Sequence, residues 1–137
     1  MRVLPSGFRS LLAVLLAASL LLAACDDFER NAYRTLKVAK VEYELLQEHA
    51  AQGFVEGDLS EEQWDRFAAA GRRFIASHTL AADLMKTYQR ARRARGEAAS
   101  LERQAIEQQV AAVLSELPVL LADLRSLIAS FDASPAG

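Results

Sequence analysis

The chain has 137 residues, of which 52% are hydrophobic and 25% charged, and its formal net charge is −2. This length suits one ordinary domain, and the near-neutral charge excludes the strong basic bias of a general nucleic-acid-binding protein. Alanine, leucine, glutamate, glutamine and arginine are abundant while proline and glycine are sparse, so the composition favours helices.

The N-terminal stretch has the layout of an export signal. Residues 1–10 carry Arg2 and Arg9 and no acid, and an uncharged apolar run follows at residues 11–24. As a helix this run would be about 21 Å long, which is shorter than a hydrocarbon core of about 30 Å. A short basic region followed by a short apolar run that ends in small residues is typical of a secretory signal peptide. We therefore predict a signal peptide at residues 1–24.

The apolar run ends in Leu22-Ala23-Ala24-Cys25, and Cys25 is the only cysteine of the chain. This stretch resembles the lipobox of bacterial lipoproteins, in which an aliphatic residue and two small residues precede an obligatory cysteine. The resemblance implies cleavage before Cys25 and acylation of both its thiol and its new amine. Two or more acyl chains hold a protein firmly to a membrane. The alternative is an uncleaved signal anchor with an incidental cysteine.

Two aspartates, Asp26 and Asp27, directly follow the predicted lipidation position. Asp26 resembles the aspartate directly after the lipidated cysteine that retains enterobacterial lipoproteins in the inner membrane. We therefore predict the periplasmic face of the inner membrane, in preference to the outer membrane. The alternative is that both carboxylates favour the N-terminus of the following helix through its dipole.

Residues 25–137 retain 14 basic and all 18 acidic residues, a net charge of −4, and predict one helical domain at residues 25–132 with a disordered tail at 133–137. The first helix should begin near Asp27 and end near Gly53. Its apolar residues recur at steps of three and four: Leu36, Ala39, Tyr43, Leu46 and Ala50. We expect Val38, Val41 and Leu45 to widen this seam toward the core.

The second helix has a strong start signal. Ser60 and Gln63 have the spacing of a capping box, with Leu59 and Trp64 at the positions of a hydrophobic staple. The helix should end near Arg95, with Gly96 as its stop. Its seam comprises Trp64, Phe67, Gly71, Phe74, His78, Ala81, Met85 and Tyr88. Since an interior glycine costs about 1 kcal/mol relative to alanine, we interpret Gly71 as a point of close helix approach.

The third helix has the most regular seam, interrupted only by Pro118, which lacks an N–H and crowds the preceding turn. The seam comprises Ile106, Val110, Val113, Leu117, Leu120, Leu124, Leu127 and Phe131, broadened by Leu114, Leu121 and Ile128. The seam keeps its phase across the proline, which favours a kinked helix over two separate helices. The prediction is an all-α, antiparallel up-down-up three-helix bundle, with four helices as the alternative. A dimeric coiled coil is a further alternative, but the wide apolar faces favour a bundle filled from within one chain.

The sequence offers little for catalysis. The only histidines are His49 and His78, and an antiparallel arrangement places His78 beside residue 38, about 16 Å from His49. We therefore predict no catalytic residue, no cofactor-binding residue and no metal ligand, and we do not expect an enzyme. His78 is predicted to be a hydrogen-bonded residue at the edge of the core; a ligand-binding or pH-sensing role is the alternative.

A basic cluster lies at the end of the second helix, with no acid between Asp83 and Glu97. It comprises Lys86, Arg90, Arg92, Arg93 and Arg95. If the anchor holds the start of the first helix at the membrane, the second helix returns toward it, and the cluster would contact anionic lipid headgroups beside Arg30 and Arg34. The alternative is a solvated cluster that favours a helix C-terminus.

Together these features predict a lipid-anchored protein of the bacterial cell envelope that acts as a non-enzymatic interaction or scaffold module. Its partners would be the membrane, through acylated Cys25, and an envelope protein, with no nucleic acid involved. One alternative is a binding protein for a small apolar ligand among the aromatic residues, and a weaker one is a subunit of an enzyme whose chemistry lies in a partner.

Overall fold

The computed structural model describes the backbone of residues 6–133 and the side chains of residues 27–133. Its elements are three helices: α1 (Ser6–Glu56), α2 (Glu61–Arg93) and α3 (Glu97–Ala133). The chain divides into two compact units, one ending at Asn31 and the other beginning at Ala32. Within the part of the chain that is described, no helix combines the length and the apolarity that crossing a bilayer requires.

The prediction that the first helix begins near Asp27 is wrong, because α1 already begins at Ser6. The apolar run consists mostly of leucine and alanine, which are strong helix formers. Only Cys25 and Asp26 separate it from Asp27, so no glycine or proline interrupts the helix there. The side chains of Cys25 and Asp26 lie outside the described residues, as do the first five residues and most of the predicted tail, residues 134–137.

The unit that begins at Ala32 is an all-α, up-down-up three-helix bundle, as predicted. Antiparallel α2 and α3 pack against each other, and α1 contacts both of them. The Tyr43 and Phe74 rings of α1 and α2 stack at 4.7 Å, and Glu42 of α1 accepts hydrogen bonds from Arg125 of α3. The largest fully buried side chains fill the interior: Tyr88, Phe67, Phe74, Met85, Leu117, Leu124 and Val110.

The first turn shows why α1 ends at Glu56 rather than at Gly53. Gly57 has a φ of +83°, a left-handed conformation that glycine adopts without cost. Its N–H donates to the Phe54 carbonyl at 3.2 Å, and the Asp58 N–H donates to the Gly53 carbonyl at 2.8 Å. These two bonds form a Schellman motif with Gly57 as the residue after the helix. Gly53 has a different role, because a Cβ on it would lie 2.6 Å from Leu59.

The predicted capping box at the start of α2 is confirmed. The Ser60 hydroxyl accepts from the Gln63 N–H at 3.2 Å, and the Gln63 side chain accepts from the Ser60 N–H at 2.8 Å. Such a cap contributes about 1 kcal/mol. The Trp64 ring stacks on Phe54 of α1 at 5.2 Å, so the start of α2 is held against the end of α1.

α2 ends at Arg93, two residues before the predicted end near Arg95, so the second turn is two residues longer than expected. Gly96 has a φ of +112°, and its carbonyl accepts from the Ser100 N–H at 3.2 Å. Gly96 therefore directly precedes α3 and accepts the first hydrogen bond of that helix, whereas α2 has already ended at Arg93. Pro118 lies inside α3, which continues as one helix to Ala133. The four-helix alternative is wrong.

Candidate interaction surface

The inner face of α1 is packed as the sequence predicted. Leu36, Ala39, Tyr43 and Ala50 are buried, with exposed fractions of 9% or less. A Cβ on Gly71 of α2 would lie 2.8 Å from the Tyr43 hydroxyl and 3.3 Å from its ring. Gly71 is therefore the predicted point of close approach, and it makes room for the Tyr43 ring between α1 and α2. Burial also raises the pKa of the Tyr43 phenol above its ordinary value.

The outer face of α1 is where the sequence prediction fails. Val38, Val41 and Leu45 were expected to widen the core seam, but they are 59%, 49% and 62% exposed. At 3.6 residues per turn these three residues lie roughly 170° around the helix from the line of Leu36 and Tyr43. We call Val38, Val41 and Leu45 the outer stripe.

Contacts on both sides of α1 explain why the outer stripe cannot turn inward. On one side the Glu42 carboxylate accepts from the Arg125 Nε of α3 at 2.6 Å. On the other side the His78 Nε2 of α2 lies 3.0 Å from the Leu36 carbonyl oxygen. α2 and α3 therefore flank the inner face and leave the opposite face to solvent. The angular positions of the residues around α1 separate these two faces. Spacings of three and four alone do not, because apolar residues occur on both faces.

His78 occupies the edge of the core, where the sequence predicted it. It is half-buried, its ring lies 5.8 Å from that of Phe74, and its carbonyl partner belongs to Leu36, close to the predicted residue 38. Because a carbonyl can only accept, Nε2 carries the proton in this contact. His49 is exposed on α1. Among the described residues, no group of three or more histidine, cysteine or carboxylate side chains is placed to hold a metal ion.

The aromatic residues pack against each other. Besides the Tyr43–Phe74 stack, Trp64 lies between Phe54 and Phe67, with ring centroids at 5.2 and 6.1 Å. A groove of about 240 Å³ opens to solvent beside this region and is lined in part by Tyr43, Phe74 and His78. A wider groove of about 600 Å³ runs between α2 and α3, with Ala69, Ala70, Leu120 and Leu127 among its lining residues.

The basic cluster lies at the C-terminal end of α2, and all five of its side chains are exposed. Lys86 donates to the Asp83 carboxylate at 2.9 Å, and Arg90 donates to the Thr87 hydroxyl at 3.2 Å. Arg90, Arg92 and Arg93 belong to the last turn of α2, where positive charge is favourable. Of the two predicted sorting residues, Asp27 is exposed and the side chain of Asp26 lies outside the described part of the chain.

No protein family matches the chain, and neither does any curated protein or any solved structure.

Proposed function

We propose that the chain is a lipid-anchored protein of the bacterial cell envelope whose helical bundle is a non-enzymatic interaction module. The observation that carries the proposal is the outer stripe. Three large aliphatic side chains stand about half exposed or more on one face of α1, while the other face of the same helix is packed into the core. Contiguous exposed apolar residues rimmed by polar ones are typical of protein interaction sites.

The anchor part of the proposal is supported by the sequence Leu22-Ala23-Ala24-Cys25 and by the short apolar run before it. Acylation of Cys25 would hold the protein at the periplasmic face of the inner membrane, with Asp26 and Asp27 as the sorting residues. The test is mass spectrometry of the protein purified from bacterial membranes. We expect an N-terminus at Cys25 that carries the added mass of a diacylglyceryl group and an acyl chain.

The matched variant for this test is Cys25→Ser, which keeps the size and polarity of the side chain but removes the thiol. It should keep the signal peptide and lose the lipid mass. A wild-type chain that keeps residues 1–24 and carries no lipid would contradict the anchor. Membrane fractionation on a density gradient then decides between the inner and the outer membrane.

We propose further that the basic cluster of α2 binds anionic lipid headgroups. Its five side chains are exposed and close together in sequence, and each basic residue near an anionic surface contributes about 1 kcal/mol. The test is flotation of residues 27–137 with vesicles of neutral or anionic lipid, after circular dichroism has shown that this fragment is helical. We expect binding to anionic vesicles only, and loss of binding at high salt.

The control for charge is a matched pair of variants. Replacing Arg90, Arg92 and Arg93 by glutamine should reduce vesicle binding strongly. Replacing Arg66, Arg73 and Arg125 by glutamine removes the same charge from other exposed positions and should reduce it much less. Equal losses in the two variants would mean that net charge alone attracts the protein to the vesicles.

The second candidate function is a binding protein for a small apolar ligand. The groove of about 240 Å³ beside His78 favours it, since Tyr43, Phe74 and Ile75 give this groove an apolar wall. An environment-sensitive apolar dye should then bind the folded chain, and Ile75→Asp should abolish the fluorescence gain without unfolding the bundle. A dye signal that Leu45→Asp abolishes instead would assign the apolar site to the outer stripe.

A further inference from the structure

We propose that a second copy of this chain covers the outer stripe, with the two α1 helices packed antiparallel around a two-fold axis at Val41. This inference deepens the proposed interaction function, because it names the partner of the same surface. It depends on the order of charges along the outer face of α1.

The outer face of α1 changes sign along its length. Arg34 and Lys37 lie before Val41, and Glu44 and Glu48 lie after it, and all four side chains are exposed. The apolar side chains of the outer stripe stand between the two charged ends. The face is therefore basic at one end, apolar in the middle and acidic at the other end.

The spacing of these residues is symmetric about Val41. In an antiparallel pair centred on Val41, Arg34 of one copy lies opposite Glu48 of the other, and Lys37 lies opposite Glu44 to within one residue. In the same arrangement Val38 lies opposite Leu45, also to within one residue, and Val41 meets its own counterpart on the axis. Each copy supplies both halves of every contact, as a two-fold interface requires.

A parallel pair would place like charges together at both ends. Arg34 would face Arg34 and Glu48 would face Glu48 of the other copy, and like charges directly opposite each other are unfavourable. Charge complementarity thus favours the antiparallel arrangement. Opposed charges at the rim determine orientation and register more than they determine affinity.

The fold leaves this face accessible to a second copy. Leu36 and Tyr43 of the inner face lie roughly 170° away around the helix. Arg34 and Val38 line a groove of about 280 Å³ with Leu117, Pro118 and Arg125 of α3, so a second α1 docked on the outer stripe would border α3 along this edge only. Lys37 and Glu44 lie on the same flank of α1, and antiparallel helices bring the same flank of each partner together. The Lys40–Glu44 ion pair within one chain is exposed at 3.7 Å, so it contributes little that the new contact would lose.

The contact would be small. Residues 34–48 span about 21 Å of one helix. One face of a helix of this length buries less area than the roughly 800 Å² per partner of a standard interface. We therefore expect a weak dimer that forms only at high local concentration.

The experiment is cysteine crosslinking of the full chain in bacterial membranes under mild oxidation. Val41→Cys should crosslink to itself, because the two-fold axis brings the two positions within the short Cα distance that a disulfide needs. Arg34→Cys and Glu48→Cys should each fail to crosslink alone, but should crosslink to each other when both variants are expressed together. The parent chain, which holds only Cys25, gives the background, and Val119→Cys on α3 is the control for an exposed valine position.

A charge exchange tests the register independently. Lys37→Glu places glutamate opposite Glu44 twice and should weaken self-association about tenfold, the equivalent of about 1.4 kcal/mol. The double variant Lys37→Glu/Glu44→Lys should restore it, and Lys86→Glu on α2 should leave it unchanged. Failure of the double variant to restore association would overturn the antiparallel register.

The crosslinking pattern also separates this inference from the proposed function. Equal self-crosslinking at Arg34, Val41 and Glu48 would mean parallel helices and would overturn the antiparallel pair. Crosslinks from Val41→Cys to a different protein, without self-crosslinking, would overturn the second copy as occupant while the interaction module stands. If cysteines in the outer stripe form no adduct at all, both proposals fail.

Discussion

The two faces of α1 carry similar apolar residues, but one face is buried and the other is exposed to solvent. Leu36 on the inner face is 5% exposed, whereas Leu45 on the outer face is 62% exposed. Both leucines lie in runs of apolar residues spaced by three and four. The difference shows that apolar content does not decide burial in this helix. What decides it is the angular position of each residue relative to α2 and α3.

The largest expected difference between the two faces is in their leucines. Leu36→Ala should lower the free energy of unfolding by about 2–5 kcal/mol, because it removes a buried side chain and leaves a cavity. Leu45→Ala, the matched control, should change it by less than about 0.5 kcal/mol in the monomer. Chemical denaturation followed by circular dichroism at low protein concentration measures both. Similar losses in the two variants would mean that the outer stripe is packed within one chain.

The next largest effect concerns the close approach on the inner face. Gly71→Ala should destabilise the bundle by about 1–3 kcal/mol, since the new methyl group would overpack against Tyr43. The variant Tyr43→Phe removes the hydroxyl that lies nearest to this methyl group. In that background the cost of Gly71→Ala should fall, and a double-mutant cycle measures the difference. An unchanged cost would assign the effect to the α2 backbone instead of the Tyr43 contact.

The buried phenol predicts a difference at alkaline pH. Burial raises the pKa of Tyr43 in the folded state, so the unfolded chain loses this proton first. The contribution of the protonated phenol to the free energy of unfolding is fully present below the tyrosine pKa of the unfolded chain, about 10. It is lost as the pH rises through the folded pKa. Subtracting the pH profile of Tyr43→Phe from that of the wild type isolates this loss. Tyr33, which is 41% exposed, provides the control, and Tyr33→Phe should leave the alkaline loss in place.

The smallest effect is expected at the border between the two faces, where Glu42 meets Arg125. Arg125 in this ion pair is exposed and Glu42 is half-buried, and solvent-accessible pairs contribute about 0.2–1 kcal/mol. The coupling energy from single and double alanine variants of the two residues measures it, and added salt should reduce it. A coupling above about 2 kcal/mol would show that the pair is shielded from water in the protein's assembled state.

Much of this fold follows from patterns visible in the sequence. The three helices, the Ser60 capping box and the Gly71 close approach were each predicted from residue types at fixed spacings. In α2 and α3 the predicted seam residues are buried or half-buried without exception. These features depend on local chemistry or on a single periodic seam, and both are recorded in the order of residues along the chain.

The width of the buried face could not be predicted in the same way. Whether Val38 and Leu45 are buried depends on how far α2 and α3 reach around α1, and that depends on contacts such as Glu42–Arg125 between residues distant in sequence. The predicted start of α1 near Asp27 is wrong for a different reason, because the change in composition after residue 24 does not interrupt the helical backbone. The candidate surface therefore emerged only from the arrangement of the three helices.

The glycine that faces Tyr43 also selects one alignment among many. A seam that repeats every turn would let α2 slide along α1 in steps of about 5.4 Å with apolar side chains still in contact. One such step would bring Phe67 or Phe74 to the place of Gly71, where the tyrosine ring leaves no room. The Tyr43 ring thus fits only opposite Gly71, and this contact fixes the position of α2 along α1. The alignment of α2 on α1 is therefore determined inside the bundle as well as by the turn at residues 57–60.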